Sequence, residues 1–141
     1  YTITYNNGTL TVNPAALTIT ANNASKTYGA TASLSNFTAT GIVNSDTVSA
    51  VTISSTGSPA TAAVGTYPIT ASNATGTGLG NYTITYNNGT LTVNPAALTI
   101  TANNFTKTYG ATLSNATGST AFISSGLQNS ETIGSVSLAY G

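Results

Sequence analysis

The 23 residues YTITYNNGTLTVNPAALTITANN occur twice, letter for letter, at Tyr1–Asn23 and at Tyr82–Asn104. A duplication 81 positions apart constrains the chain more than any other feature, because a structure that suits one copy must suit the other. The likeness continues as KTYGAT at Lys26–Thr31 and Lys107–Thr112. After a change of length it resumes, with GIVNSDTVSAVTI at Gly41–Ile53 against GLQNSETIGSVSL at Gly126–Leu138. The repeat of about 81 residues is long enough for a small β domain. It divides the chain into residues 1–13, the C-terminal hairpin of a preceding repeat, a complete repeat over 17–94, and the first part of a following one over 98–141. The expectation is a window on a longer array. The alternative is a subunit whose incomplete ends complement those of a neighbour.

Each copy alternates apolar and polar residues, the signature of a half-buried strand. In YTITY and TLTV, Tyr1, Ile3, Tyr5, Leu10 and Val12 fall on one face and Thr2, Thr4, Thr9 and Thr11 on the other. Between them stands Asn7-Gly8, repeated as Asn88-Gly89. Asn-Gly favours a two-residue hairpin loop because both turn positions need positive φ. The reading is therefore a tight hairpin in which Tyr5 faces Leu10 and Ile3 faces Val12, with the same pairing in the second copy. Pro14 and Pro95 end the hairpin cleanly and form short joints between repeats, followed by a strand over Leu17–Ala21. Val48–Ile53 and Tyr67–Ala71 alternate well, and Ala30–Thr40 is a weaker candidate strand. Short strands separated by turn residues, with no 3.6-residue period, predict an all-β protein built as an antiparallel β-sandwich.

Only 3% of the residues are charged, against about 25% in an average soluble domain. Two basic and two acidic side chains leave no positive surface for nucleic acid and no carboxylate cluster for calcium. With no His and no Cys, the usual zinc and transition-metal sites are excluded, and so are Ser-His-Asp and Cys-His constellations. No cofactor and no enzymatic activity are expected. No apolar run approaches the roughly 20 residues of a membrane helix, and no charged leader precedes an apolar stretch.

In order along the chain stand KTYG (Lys26–Gly29), NSDTV (Asn44–Val48), VGTYPI (Val64–Ile69), NYTITY (Asn81–Tyr86) and GTLTV (Gly89–Val93). Together they resemble the bacterial MBG domain of YGX type. That resemblance implies an immunoglobulin-like fold and tandem arrays in very large secreted or surface-attached, often adhesin-like proteins. It implies no catalytic residues and no ligand pocket. Charge is lower here than the family leads one to expect, and Glu131 stands where the complete repeat has Asp46.

Each repeat has one Lys and one acid in this stretch, Lys26 with Asp46 and Lys107 with Glu131. The plain expectation is a structural ion pair, worth about 0–1 kcal/mol if exposed. Two unrelated solvated charges are the next reading. The sharpest is a Lys–Asn isopeptide bond, which needs a buried protonated acid and a neutral lysine. Outward threonines resemble ice-binding rows, although alternation alone produces them. Tyr28, Tyr67, Tyr82 and Tyr86 could stack sugars, but sandwich tyrosines more commonly reach a backbone partner. N-x-S/T triplets leave glycosylation open.

These readings converge on a non-catalytic extracellular repeat that spaces or stiffens a stalk or fibre on a bacterial surface. Its partners would be neighbouring repeats and, given so few charged edge residues, other copies associating laterally or end to end. Neither nucleic acid nor membrane insertion is expected, and no small-molecule ligand is indicated. The alternative is a binding module that contacts carbohydrate or another surface through its outer Thr, Asn and Tyr side chains.

Overall fold

The structure is a computed structural model that describes residues 1–140. It is all-β, with eleven strands and one short 3-10 turn over Leu79–Asn81. In chain order the strands are β1 (Ala15–Ala21), β2 (Ala24–Thr27), β3 (Phe37–Thr40), β4 (Thr47–Ser54), β5 (Gly65–Thr77), β6 (Tyr82–Asn87), β7 (Gly89–Asn94), β8 (Thr99–Ala102), β9 (Ala116–Ser119), β10 (Phe122–Ser125) and β11 (Val136–Leu138). They form a three-stranded sheet β3–β1–β6, a four-stranded sheet β2–β7–β5–β4, and the two-stranded ribbons β10–β8 and β11–β9. By contact the chain falls into two units interleaved in sequence. One comprises Tyr1–Ala24, Leu34–Ser55 and Pro68–Thr90, and the other Ser25–Ser33, Thr56–Tyr67 and the chain from Leu91 onward.

In the first unit β1 is the organising strand. It pairs antiparallel with β3, from Thr18↔Thr40 to Ala21↔Phe37, and parallel with β6, from Ala15↔Tyr82 to Thr20↔Asn87. A parallel pair cannot be closed by a tight turn, so the rest of the repeat lies between its two members. Leu17, Ile19 and Ala21 alternate along β1 and are buried, as are Ile69 and Ala71 along β5 and the ring of Tyr82 at the start of β6. This period-2 burial is what a sandwich core requires of its inner faces. β4 and β5 pair antiparallel from Thr47↔Thr77 to Ser54↔Thr70 with two register shifts, near Asn73, whose φ is 51°.

In the second unit Leu91 and Val93 on β7 are buried, and so is Lys26 on β2. β8 and β10 repeat the β1–β3 arrangement: Ala102↔Phe122 and Thr99↔Ser125 reproduce Ala21↔Phe37 and Thr18↔Thr40. The ribbon β9–β11 pairs Ser119 with Val136 and Ala116 with Leu138.

The expected hairpins are absent. β6 lies beside β1 in one sheet and β7 between β2 and β5 in the other, so Asn88-Gly89 carries the chain from sheet to sheet without reversing it. Neither Asn88 nor Gly89 has the positive φ that a type I′ turn needs. Glycine is required there for a different reason. A Cβ on Gly89 would lie 2.4 Å from the carbonyl oxygen of Ala21. β1 and β2 make the same sheet change at Asn22-Asn23, where the side-chain oxygen of Asn23 accepts from Thr90 N–H at 2.8 Å. That bond satisfies a donor where the backbone ladder is interrupted. Asn7 and Gly8 form no turn either. Tyr1–Asn13 carries no strand and is exposed throughout, although its residues are those of β6 and β7. The same thirteen residues thus form β6 and β7 in one copy and no strand in the other.

Candidate functional site

Two turns recur in both repeats, and each pair is built the same way. In the first, Ala30 N–H donates to Thr27 O at 3.1 Å, with Gly29 at φ 91°. Positive φ at the third residue is the type II pattern, which explains the Tyr-Gly pair. The following repeat reproduces it, with Ala111 N–H on Thr108 O at 3.0 Å and Gly110 at φ 88°. In the second turn Asp46 N–H donates to Val43 O at 3.0 Å, with Asn44 at φ 55° and Ser45 at φ 61°. Two successive positive φ values make this the type I′ turn expected at Asn-Gly. It too recurs, with Glu131 N–H on Gln128 O at 2.8 Å and Asn129 and Ser130 at φ 49° and 60°.

Lys26 lies beneath the Tyr-Gly turn. Its side chain is 8% exposed, and Nζ donates to Ala30 O at 3.0 Å, to Ser58 O at 3.1 Å and to Pro59 O. An ammonium group has three donors, and all three are used. Backbone bonds from Gly29 N–H to Ala60 O and from Ala32 N–H to Ser58 O tie the same loop to the turn. Asp46 has its own partner. The hydroxyl of Tyr82 lies 2.9 Å from Asp46 Oδ2 and 3.0 Å from both Val43 N and Val43 O, so it accepts from the amide and donates to an oxygen of that turn.

The expected Lys26–Asp46 ion pair is therefore replaced by two separate polar sites. Carbonyls surround the lysine nitrogen in place of the Asn carboxamide that an isopeptide bond needs. Lys107 is exposed, and its expected partner Glu131 instead accepts from the hydroxyl of Tyr28 at 2.5 Å.

That last bond joins one repeat to the next. Asn129 Nδ2 donates to Ala60 O at 3.1 Å, and the Gln128 side chain covers Gly29, where a Cβ would lie 2.3 Å from its Oε1. The space around these contacts is about 230 Å³, lined by Tyr28, Val64, Pro95, Leu98, Leu127 and Glu131. The type I′ turn of the following repeat is thus a seat, and the type II turn of the complete repeat, braced by Lys26, sits in it. Pro95 stands in this joint. Pro14 lines the corresponding space at the Asn44–Ser45 turn, about 480 Å³, with Val12, Val43, Asn44, Asp46 and Tyr82.

Among the tyrosines weighed as a sugar platform, Tyr67 donates to Ala63 O at 2.9 Å and Tyr86 accepts from Ala74 N–H at 3.0 Å. These are backbone anchors, whereas Tyr28 bonds a carboxylate across the joint. Sequence reasoning missed the Asn-Ser turns and the carbonyl cage of Lys26. Asparagine's tolerance of left-handed backbone was a usable signal for the first. Little that is local marks the second, because two of its three acceptors lie in a loop more than thirty residues away.

Among the described residues no helix is long and apolar enough to cross a membrane. The family model described as MBG domain (YGX type) matches residues 17–92. No curated protein and no solved structure matches the chain.

Proposed function

The chain belongs to the MBG domain (YGX type) family, and from that premise we propose that it is a non-catalytic structural repeat in the stalk or fibre of a large extracellular bacterial surface protein with an adhesive role. The observation that carries this reading is the bonded joint. Tyr28 to Glu131 and Asn129 to Ala60 hold one repeat against the next beside Pro95, so a short connector alone does not set their relation. Repeats joined in this way add length while each keeps its own core. Residue types point the same way, since a chain without His or Cys and with two carboxylates has little to catalyse with.

The joint can be tested with two spin labels, because the chain has no cysteine of its own. Thr61→Cys and Ser124→Cys place labels on exposed positions either side of it. The expected result is a narrow distance distribution that broadens when Tyr28→Ala is added. A broad distribution in the otherwise unaltered chain would overturn the stalk reading.

A further inference from the structure

The two sheets of the complete repeat treat their outward hydroxyls differently. On β4 and β5 these side chains bond one another or the neighbouring backbone. Thr47 Oγ1 lies 3.1 Å from Thr77 Oγ1, Ser54 Oγ lies 3.0 Å from Thr70 Oγ1, and Ser49 Oγ donates to Thr75 O at 3.0 Å. On β3, β1 and β6 the hydroxyls are left to the solvent. Leu17, Ile19 and Ala21 point into the core, so Thr18 and Thr20 point out. The strand register places Thr40 and Thr85 on either side of Thr18, and Thr38 and Asn87 on either side of Thr20. Of the five threonines in this two-by-three grid, Thr38 alone spends its hydroxyl inside the protein, on Asn22 Oδ1 at 2.9 Å. Thr18 and Thr20 are half-buried and the outer four residues exposed. The grid lies within the complete repeat. The bonds between repeats are made at the turns of Tyr28 and Glu131, on which none of its residues stands.

We propose that this grid binds ice. The proposal goes beyond the stalk reading and does not rest on it. The six side chains are uncharged and none is aromatic. A mineral face calls for ions, and a crystalline polysaccharide for rings to stack on. An ice face is neutral and offers donors and acceptors at a regular spacing, which is what free hydroxyls in register complement. Neighbouring strands lie about 4.7–4.9 Å apart, and alternate residues on one strand about 6.6–6.8 Å apart. Hexagonal ice repeats its oxygens across the prism face at spacings close to both.

Threonine suits the task better than serine. Branching at Cβ restricts its first side-chain torsion, so hydroxyl and methyl keep their places in the grid. Waters already ordered by such a surface lose little further freedom when they join a crystal. Native twist turns each strand by about 20–25° against the next, which limits a lattice match to a patch about as wide as this three-stranded sheet. The outer face of β4 and β5 has less to offer the same lattice, because its hydroxyls already bond within the sheet.

The test is partition of the full chain into a slowly grown ice hemisphere, with thermal hysteresis measured on the same samples. The unaltered chain should be enriched in the ice and should shape the crystals. Thr18→Tyr puts a ring at the centre of the grid, and Thr85→Tyr puts one at its exposed edge. Tyrosine is at home on a strand, so the urea midpoint of Thr85→Tyr should not move. Both variants should be excluded from the ice. Thr52→Tyr places the same ring on the exposed outer face of β4 and should partition as the unaltered chain does. Exclusion of the unaltered chain, with or without retention on crystalline cellulose, would overturn the proposal. So would enrichment of Thr85→Tyr to the same extent, or an equal loss in Thr52→Tyr. None of these results touches the Thr61–Ser124 distance distribution, so failure here is distinct from failure of the stalk reading.

Discussion

Replacing Lys26 by methionine keeps most of its length and apolar stem but removes three donors at once. The carbonyls of Ala30, Ser58 and Pro59 lose their partner in a place where the lysine side chain is 8% exposed. A hydrogen bond to a charged group contributes about 1.5–3 kcal/mol net, and an orphaned buried acceptor costs about 1–3 kcal/mol. Against these stands the relief of no longer burying a charge, worth several kcal/mol. The loop carbonyls can also recover some water. The balance expected for Lys26→Met is a loss of about 3 kcal/mol, because one partner is removed and the other three remain. For a domain of this size that corresponds to a fall in Tm of about 12–24 °C.

The assay is urea unfolding followed by far-ultraviolet circular dichroism, with Lys107→Met as the internal control. Lys107 holds the same position in the following repeat and is exposed, so its replacement should leave the midpoint unchanged. A cycle with Asp46→Asn separates the cage from an ion pair. The two effects should add, whereas a direct pair would show a coupling of about 0.5–3 kcal/mol. If Lys26→Met unfolds with the unaltered chain, or couples to Asp46→Asn, the carbonyl cage is not what holds the turn.

Two further contrasts use the duplicated sequence as its own control. Gly89→Ala should destabilise by about 2 kcal/mol or more in thermal unfolding, because its Cβ would meet the Ala21 carbonyl at 2.4 Å, while Gly8→Ala, with nothing within 4 Å, should be silent. Leu17→Ala should cost about 2–5 kcal/mol by the same measurement, whereas Leu98→Ala, at 47% exposure, should cost far less. Equal effects within either pair would mean that the two copies are packed alike.

How far the sequence is legible depends on the range of the interaction. Alternation correctly marked the inward residues Leu17, Ile19, Leu91 and Val93, because burial on a strand follows from period 2 alone. Pro14 stands immediately before β1, and the repeat aligned the residues of the two recurring turns without marking them as turns. Pairing partners were not legible. The hydrophobic pattern of YTITY and TLTV suits a hairpin and a sheet change equally well, and Asn88-Gly89 favoured the wrong one. What decides is the parallel seat beside β1, created by residues far away in the chain. Asn7-Gly8 forms no turn either, and the same letters at Tyr1–Asn13 carry no strand. At the joint, charge matching suggested Lys with Asp and Lys with Glu. A chain with so few charges offers its ions neutral partners, three carbonyls for Lys26 and a phenol for Glu131.

The pairing of β1 with β6 has a mechanical consequence. The chain comes into the complete repeat along β1 and leaves it through β6 and then β7, and β1 and β6 are parallel neighbours over the register Ala15↔Tyr82 to Thr20↔Asn87. A pull between the two ends of the repeat therefore drags β1 and β6 past each other lengthwise, loading all the rungs between them together instead of unzipping them singly. Parallel wiring of this kind turns end-to-end tension into shear.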